Sequence, residues 1–118
     1  MILVDTSIWV DHLNKSDAGL KDLLNSGEVC IHPFIIGELA WGNISNRKEI
    51  IALLKALPHV EAAFDDEVFT LIENKNLYGI GLGFIDVHLL ASALINNVTI
   101  WTRDKTLKNS AIKLNIHK

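Results

Sequence analysis

The sequence predicts an α/β chain, a three-layer α/β/α sandwich with a central parallel sheet of four to five strands, in one domain spanning residues 1–118. Two observations predict it. Short apolar runs alternate from end to end with segments of helical periodicity, which implies parallel strands with helices on both faces. The composition, 49% hydrophobic and 21% charged, supplies a real core at a length that suits one domain.

Met1 to Val4 is an apolar, partly β-branched run and reads as a buried strand. Thr6 or Ser7 then caps a helix through Trp9, Val10 and Leu13. The stretch LKDLLNSG is a second helix closed by Gly27. VCI is a short strand, and Pro33 suits the first turn of a helix through Trp41. Asn46 with Glu49 forms a capping box for a helix burying Ile50, Leu53, Leu54 and Leu57, which Pro58 ends. His59 to Ala63 is a third strand. Asp65 caps a helix with Val68, Phe69, Leu71 and Ile72 on its buried side. YGIGLGF is a loop, IDVHLLASALIN a central helix, VTIWT the clearest later strand, and AIKLNI one more.

Composition narrows the class. No apolar run approaches the ~18–20 residues of a membrane span, and no basic segment precedes a long apolar stretch at the N-terminus. Cys30 is the only cysteine, which excludes an internal disulfide and a Cys-based zinc cage. A cytoplasmic setting is expected. Net charge is −3, yet five cations lie between Arg103 and Lys118 against the single acid Asp104, which permits a basic edge.

Four acids stand out because they interrupt apolar surroundings. Asp5 closes the first strand, and Asp104 follows TIWTR. In parallel sheets ligands sit at the carboxyl ends of strands, so both acids point into one crevice. Glu38 is the only charge in PFIIGELAWG, and Asp86 lies in the first turn of a helix that is apolar almost all round. Each has a structural alternative: a strand end for Asp5, a cap for Asp86 or Asp104, a wet helix stripe for Glu38. Together they are harder to dismiss. Two unit charges 4 Å apart repel by about 4 kcal/mol at an effective dielectric of 20, which folding tolerates only with protons or cations present. An all-carboxylate set suits Mg²⁺ or Mn²⁺, one or two ions. The five histidines show no paired ligand spacing, which argues against zinc. Trp9, Trp41 and Trp101 lie in apolar runs and read as core, and His88 as structural.

The segments ILVDTSIWVDHL, IIGELAWG, GIGLGFIDVHLLASA and IWTRDKTL resemble, in order, the signatures of PIN-domain proteins, and among them the VapC toxins of prokaryotic toxin–antitoxin pairs. The resemblance covers nearly the whole chain. It implies Mg²⁺- or Mn²⁺-dependent cleavage of RNA, with the family's acidic quartet falling on Asp5, Glu38, Asp86 and Asp104. It also implies a homodimer held inactive by a small VapB-like antitoxin. On this reading Asp5, Asp86 and Asp104 hold the metal, while Glu38 ligates or orients the attacking water. Thr6 and Ser7 either hold water at the metal or cap the helix. Arg103, Lys105 and Lys108 either grip RNA phosphates or pair with nearby acids. Three other readings compete: a phosphorylatable receiver domain, which lacks its acid pair and Lys-Pro here; a silent PIN-like scaffold; and a structure-selective DNA nuclease, which needs extra helices.

Overall fold

Successive side chains of a strand point to opposite faces, and in Ile2–Val4 both Leu3 and Val4 are completely buried. The same is true of both residues in Val29–Cys30. Both faces of the sheet are therefore covered, as a parallel sheet requires. The computed structural model describes all residues, 1–118. In it β1 (Ile2–Val4), β2 (Val29–Cys30) and β3 (Thr99–Trp101) form one sheet in the order β2-β1-β3, all parallel. Ile2 pairs with Val29 on one side and Thr99 on the other, and Val4 pairs with Trp101.

Helices α1 (Thr6–Asn14) and α2 (Ala18–Asn25) connect β1 to β2. Four more, α3 (Pro33–Trp41), α4 (Arg47–Lys55), α5 (Asp65–Lys75) and α6 (Phe84–Asn96), lead from β2 to β3, and α7 (Lys105–Lys113) follows. As its composition predicts, α6 is the central helix: every residue from Val87 to Ala93 is buried.

The sheet has three strands rather than four to five. The two remaining segments each touch it through a single parallel bridge, Ile31 to His59 and Ile100 to His117. After Val60, the N–H of Glu61 donates to Asn96 Oδ1 and that of Ala63 to Ser92 Oγ. Side chains of α6 thus take donors that a ladder would need. The first half of the predicted AIKLNI strand is the end of α7, which runs to Lys113. Asn115 then turns the chain at φ 63° into its bridge.

Several helix ends also differ from expectation. Asp5, not Thr6 or Ser7, is the N-cap of α1. Asn46 sits at φ 53°, so its side chain makes no cap bond and the expected box with Glu49 is absent. Phe64 precedes α5, with Glu67 reaching back to accept its N–H, and Asp65 is the first helical residue. Gly27 does close α2: at φ 69° it lets Gly27 N–H and Glu28 N–H bond Leu24 O and Leu23 O.

Burial corrects three apolar assignments. Trp9 is core, but Trp41 is 91% exposed because it lies off the Ile35–Ile36–Leu39 stripe that α3 buries. In α4 the buried residue is Leu54 and in α5 it is Val68, which leaves Leu53 and Phe69 exposed.

Candidate active site

The pairing of Val4 with Trp101 sets the site. One residue on, Asp5 N–H donates to Trp101 O at 2.9 Å, and Asp5 emerges beside Thr102 at the carboxyl end of the sheet. Its side chain is buried, and Oδ2 accepts the Thr102 hydroxyl at 2.7 Å and the Ser7 hydroxyl at 2.9 Å. The two hydroxyls act alike. Each donates to Asp5 and accepts a backbone N–H from the turn after β3: Asp104 N–H on Thr102, Arg103 N–H on Ser7, both at 3.0 Å.

The other acids arrive on helices. Asp104 is the N-cap of α7, its Oδ2 accepting Leu107 N–H at 2.9 Å. Glu38 lies in α3, its Oε1 accepting the Thr6 hydroxyl at 2.8 Å. Asp86 sits in the first turn of α6, where its carboxylate turns back to the Gly83 N–H. Burial pushes its pKa up to about 6, and the charges of Asp5, Asp104 and Glu38 push the same way against the Gly83 N–H. Asp86 therefore feels all three of the other acids.

Each of Asp5, Glu38 and Asp104 uses one oxygen on a structural donor, and no protein donor reaches the other oxygen. None of the four has a Lys or Arg ion pair; the chain's ion pairs are His88–Asp65 and Arg103 with Asp11 and Asp17. The donor set is oxygen only, with no imidazole or thiolate, and suits a hard divalent cation. The acids nevertheless stand apart: no three Asp, Glu, His or Cys side chains come close enough together to hold one metal ion. Glu38 also borders two clefts, one of about 350 Å³ between α1, α3 and the Gly42–Asn46 turn, and a more open one with Phe34, Trp41 and Ile85.

Thr6 and Ser7 thus each support an acid, Glu38 and Asp5 respectively. Lys105 and Lys108 are exposed on α7, with no acid within ion-pair reach. The Arg103 guanidinium is engaged by Asp11 and Asp17. His88 is buried, edge-on to Phe34 and Phe84, with Nε2 3.5 Å from Asp65 Oδ1. Sequence reasoning missed Thr102. Its signal is position: a hydroxyl directly after β3, two residues before an acid, facing Asp5 across the sheet.

A PIN domain family model matches residues 2–113, a span that contains all four acids. The chain belongs to the PIN-domain family. Two relatives of this PIN-domain chain are both named Ribonuclease VapC32, from Mycobacterium tuberculosis strains CDC 1551 / Oshkosh and ATCC 25618 / H37Rv. Each is 46% identical over 109 residues, 92% of this chain and 88% of the relative. Within the PIN-domain family the chain is thus of the VapC type.

Proposed function

We propose that this PIN-domain chain is an Mg²⁺- or Mn²⁺-dependent endoribonuclease, the toxin of a toxin–antitoxin pair. It works in the cytoplasm as a homodimer and is restrained by a small VapB-like antitoxin. One observation supports this most: the charges of Asp5, Glu38 and Asp104, each from a different element, reach the Asp86 carboxyl, and no Lys or Arg is paired with any of the four. The ribonuclease name of the two relatives supplies the substrate class.

Asp5, Asp86 and Asp104 would hold one or two cations. A bound Mg²⁺ or Mn²⁺ supplies positive charge to the phosphodiester and lowers the pKa of water. The chain's own residues set the geometry. Thr102 and Ser7 fix Asp5 at Oδ2, and no protein donor takes Oδ1. Thr6 fixes Glu38 at Oε1, so Oε2 is free to orient a water or accept its proton. Lys105 and Lys108 take RNA phosphates, each adding about 0.7 to the salt slope of single-strand binding.

The test is RNA cleavage by the purified protein with Mg²⁺, with Mn²⁺ and with chelator. Cleavage is expected only with the ions, and Asp5→Asn loses it while keeping the wild-type fold, because Asn also caps helices. Cleavage that survives chelator, or an Asp5→Asn variant as active as wild type, would falsify the mechanism.

A further inference from the structure

Arg103 neighbours Asp104, yet its side chain turns away from the acids. Its terminal nitrogens fork onto Asp11 Oδ2 at 2.7 Å and Asp17 Oδ2 at 2.5 Å, with Cζ 5.8 Å from the Trp101 ring centre. Asp17 is itself anchored. Its Oδ1 caps α2 through Leu20 N–H at 3.0 Å, and its own N–H donates to His12 Nδ1 at 2.9 Å. Gly19 makes the room, since a Cβ there would stand 3.2 Å from Asp17 Oδ1 and 3.4 Å from Trp101 Cη2. The Leu20 N–H and then Arg103 hold the Asp17 carboxyl below the usual range, while Asp17 and Asp11 raise Arg103. At its other end, the Arg103 backbone N–H donates to Ser7 Oγ, one of the two supports of Asp5.

We propose that Arg103 is a positioning residue: by bridging Asp11 and Asp17 it fixes the turn Thr102–Asp104, so that Ser7 and Thr102 hold Asp5 while Asp104 keeps its place near Asp86. Its effect on catalysis rests on the nuclease reading above; its effect on the turn does not. The bridge suits arginine because a planar fork reaches two carboxylates at once, which a lysine ammonium on one flexible stem does not reproduce. Arg103 and Asp11 are open to solvent, which screens the bridge, so its contribution to global stability is small. What it sets is local geometry.

The alternative is that Arg103 grips an RNA phosphate, and the two roles predict opposite results. For positioning, Arg103→Ala lowers kcat by about 10- to 100-fold, the scale of a misplaced site, and leaves KM and the salt slope of RNA binding unchanged. Arg103→Lys does not rescue it. The double variant Asp11→Asn, Asp17→Asn gives the same loss, with α2 still capped by asparagine. For a phosphate grip, Arg103→Ala raises KM and removes about 0.7 from the salt slope, lysine rescues, and the double variant binds RNA more tightly because it frees the guanidinium. Amide exchange measured by NMR decides the turn itself. Arg103 and Asp104 N–H exchange faster in Arg103→Ala, while Leu90 and Ala91 keep wild-type protection. Unchanged exchange at Arg103 and Asp104 overturns the proposal whether or not the protein cleaves RNA. A wild type that cuts no RNA sinks the nuclease reading and leaves the exchange result standing.

Discussion

Thr102 is a single buried hydroxyl that bonds the Asp5 carboxylate and the Asp104 N–H and lies 3.3 Å from Ser7 Oγ. Valine keeps its shape and removes both bonds. Asp5 then keeps only its Ser7 donors, and the Asp104 N–H loses its acceptor. Thr102→Val is expected to destabilise the fold by about 1–3 kcal/mol, the range for leaving a buried polar group short of a partner. Thr102→Ser keeps the hydroxyl and loses only a methyl, so its loss is smaller. Urea unfolding of the two variants checks this: equal midpoints would mean that the hydroxyl is not what matters.

At the scale of elements, the alternation of strands and helices was legible, and so was the burial of α6, because hydrophobic pattern alone decides them. Termini were less so. Three helices end on asparagines in the left-handed region, Asn76 and Asn97 at φ 53° and Asn115 at φ 63°. Each passes into a buried apolar residue, Leu77, Val98 or Ile116, whose N–H bonds back five residues, as Val98 does to Ala93 O at 3.1 Å. In sequence such an asparagine reads as an ordinary polar residue; only an apolar residue after it hints at the turn. Asn97 joins the helix of Asp86 to β3. Asn97→Ala is expected to lose about 1 kcal/mol from the left-handed strain, whereas Asn97→Gly stays near wild type. A urea midpoint for alanine matching that for glycine would remove the conformational explanation. In the site, the acids were legible because each interrupts an apolar run. The supports of Asp5 and the Arg103 bridge were not, because Thr102 lies 97 residues from Asp5, and Arg103 lies 92 and 86 from Asp11 and Asp17. Only the β1–β3 register joins them.

For the molecule as a whole, a buried histidine and a half-buried aspartate tie stability to pH in opposite directions. His32 is completely buried: its Nδ1 accepts Phe34 N–H, and its Nε2 lies 3.2 Å from Ser92 Oγ. Burial, and then the neighbouring His88, lower its pKa to about 4. Between its unfolded value near 6.5 and about 4, the unfolded chain binds the proton and the native one does not. Stability from His32 is therefore full above that window and lost as pH falls through it. Asp86 runs the other way. Its folded pKa, about 6, exceeds its unfolded value of 3.8, so in that window the native state binds the extra proton and stability falls as pH rises. Without divalent ions the two slopes, each at most about 1.4 kcal/mol per pH unit, oppose one another between about pH 4 and 6. A cation bound by the acids competes with the Asp86 proton and leaves His32 untouched. The stabilisation by saturating Mg²⁺ or Mn²⁺ over chelator is thus expected to be small at pH 5 and to grow as pH rises through about 6. Thermal or urea unfolding at pH 5, 6 and 7, with ion and with chelator, measures it, and subtracting the two cancels the His32 contribution. A stabilisation equal at all three pH values would mean that the ion binds away from Asp86.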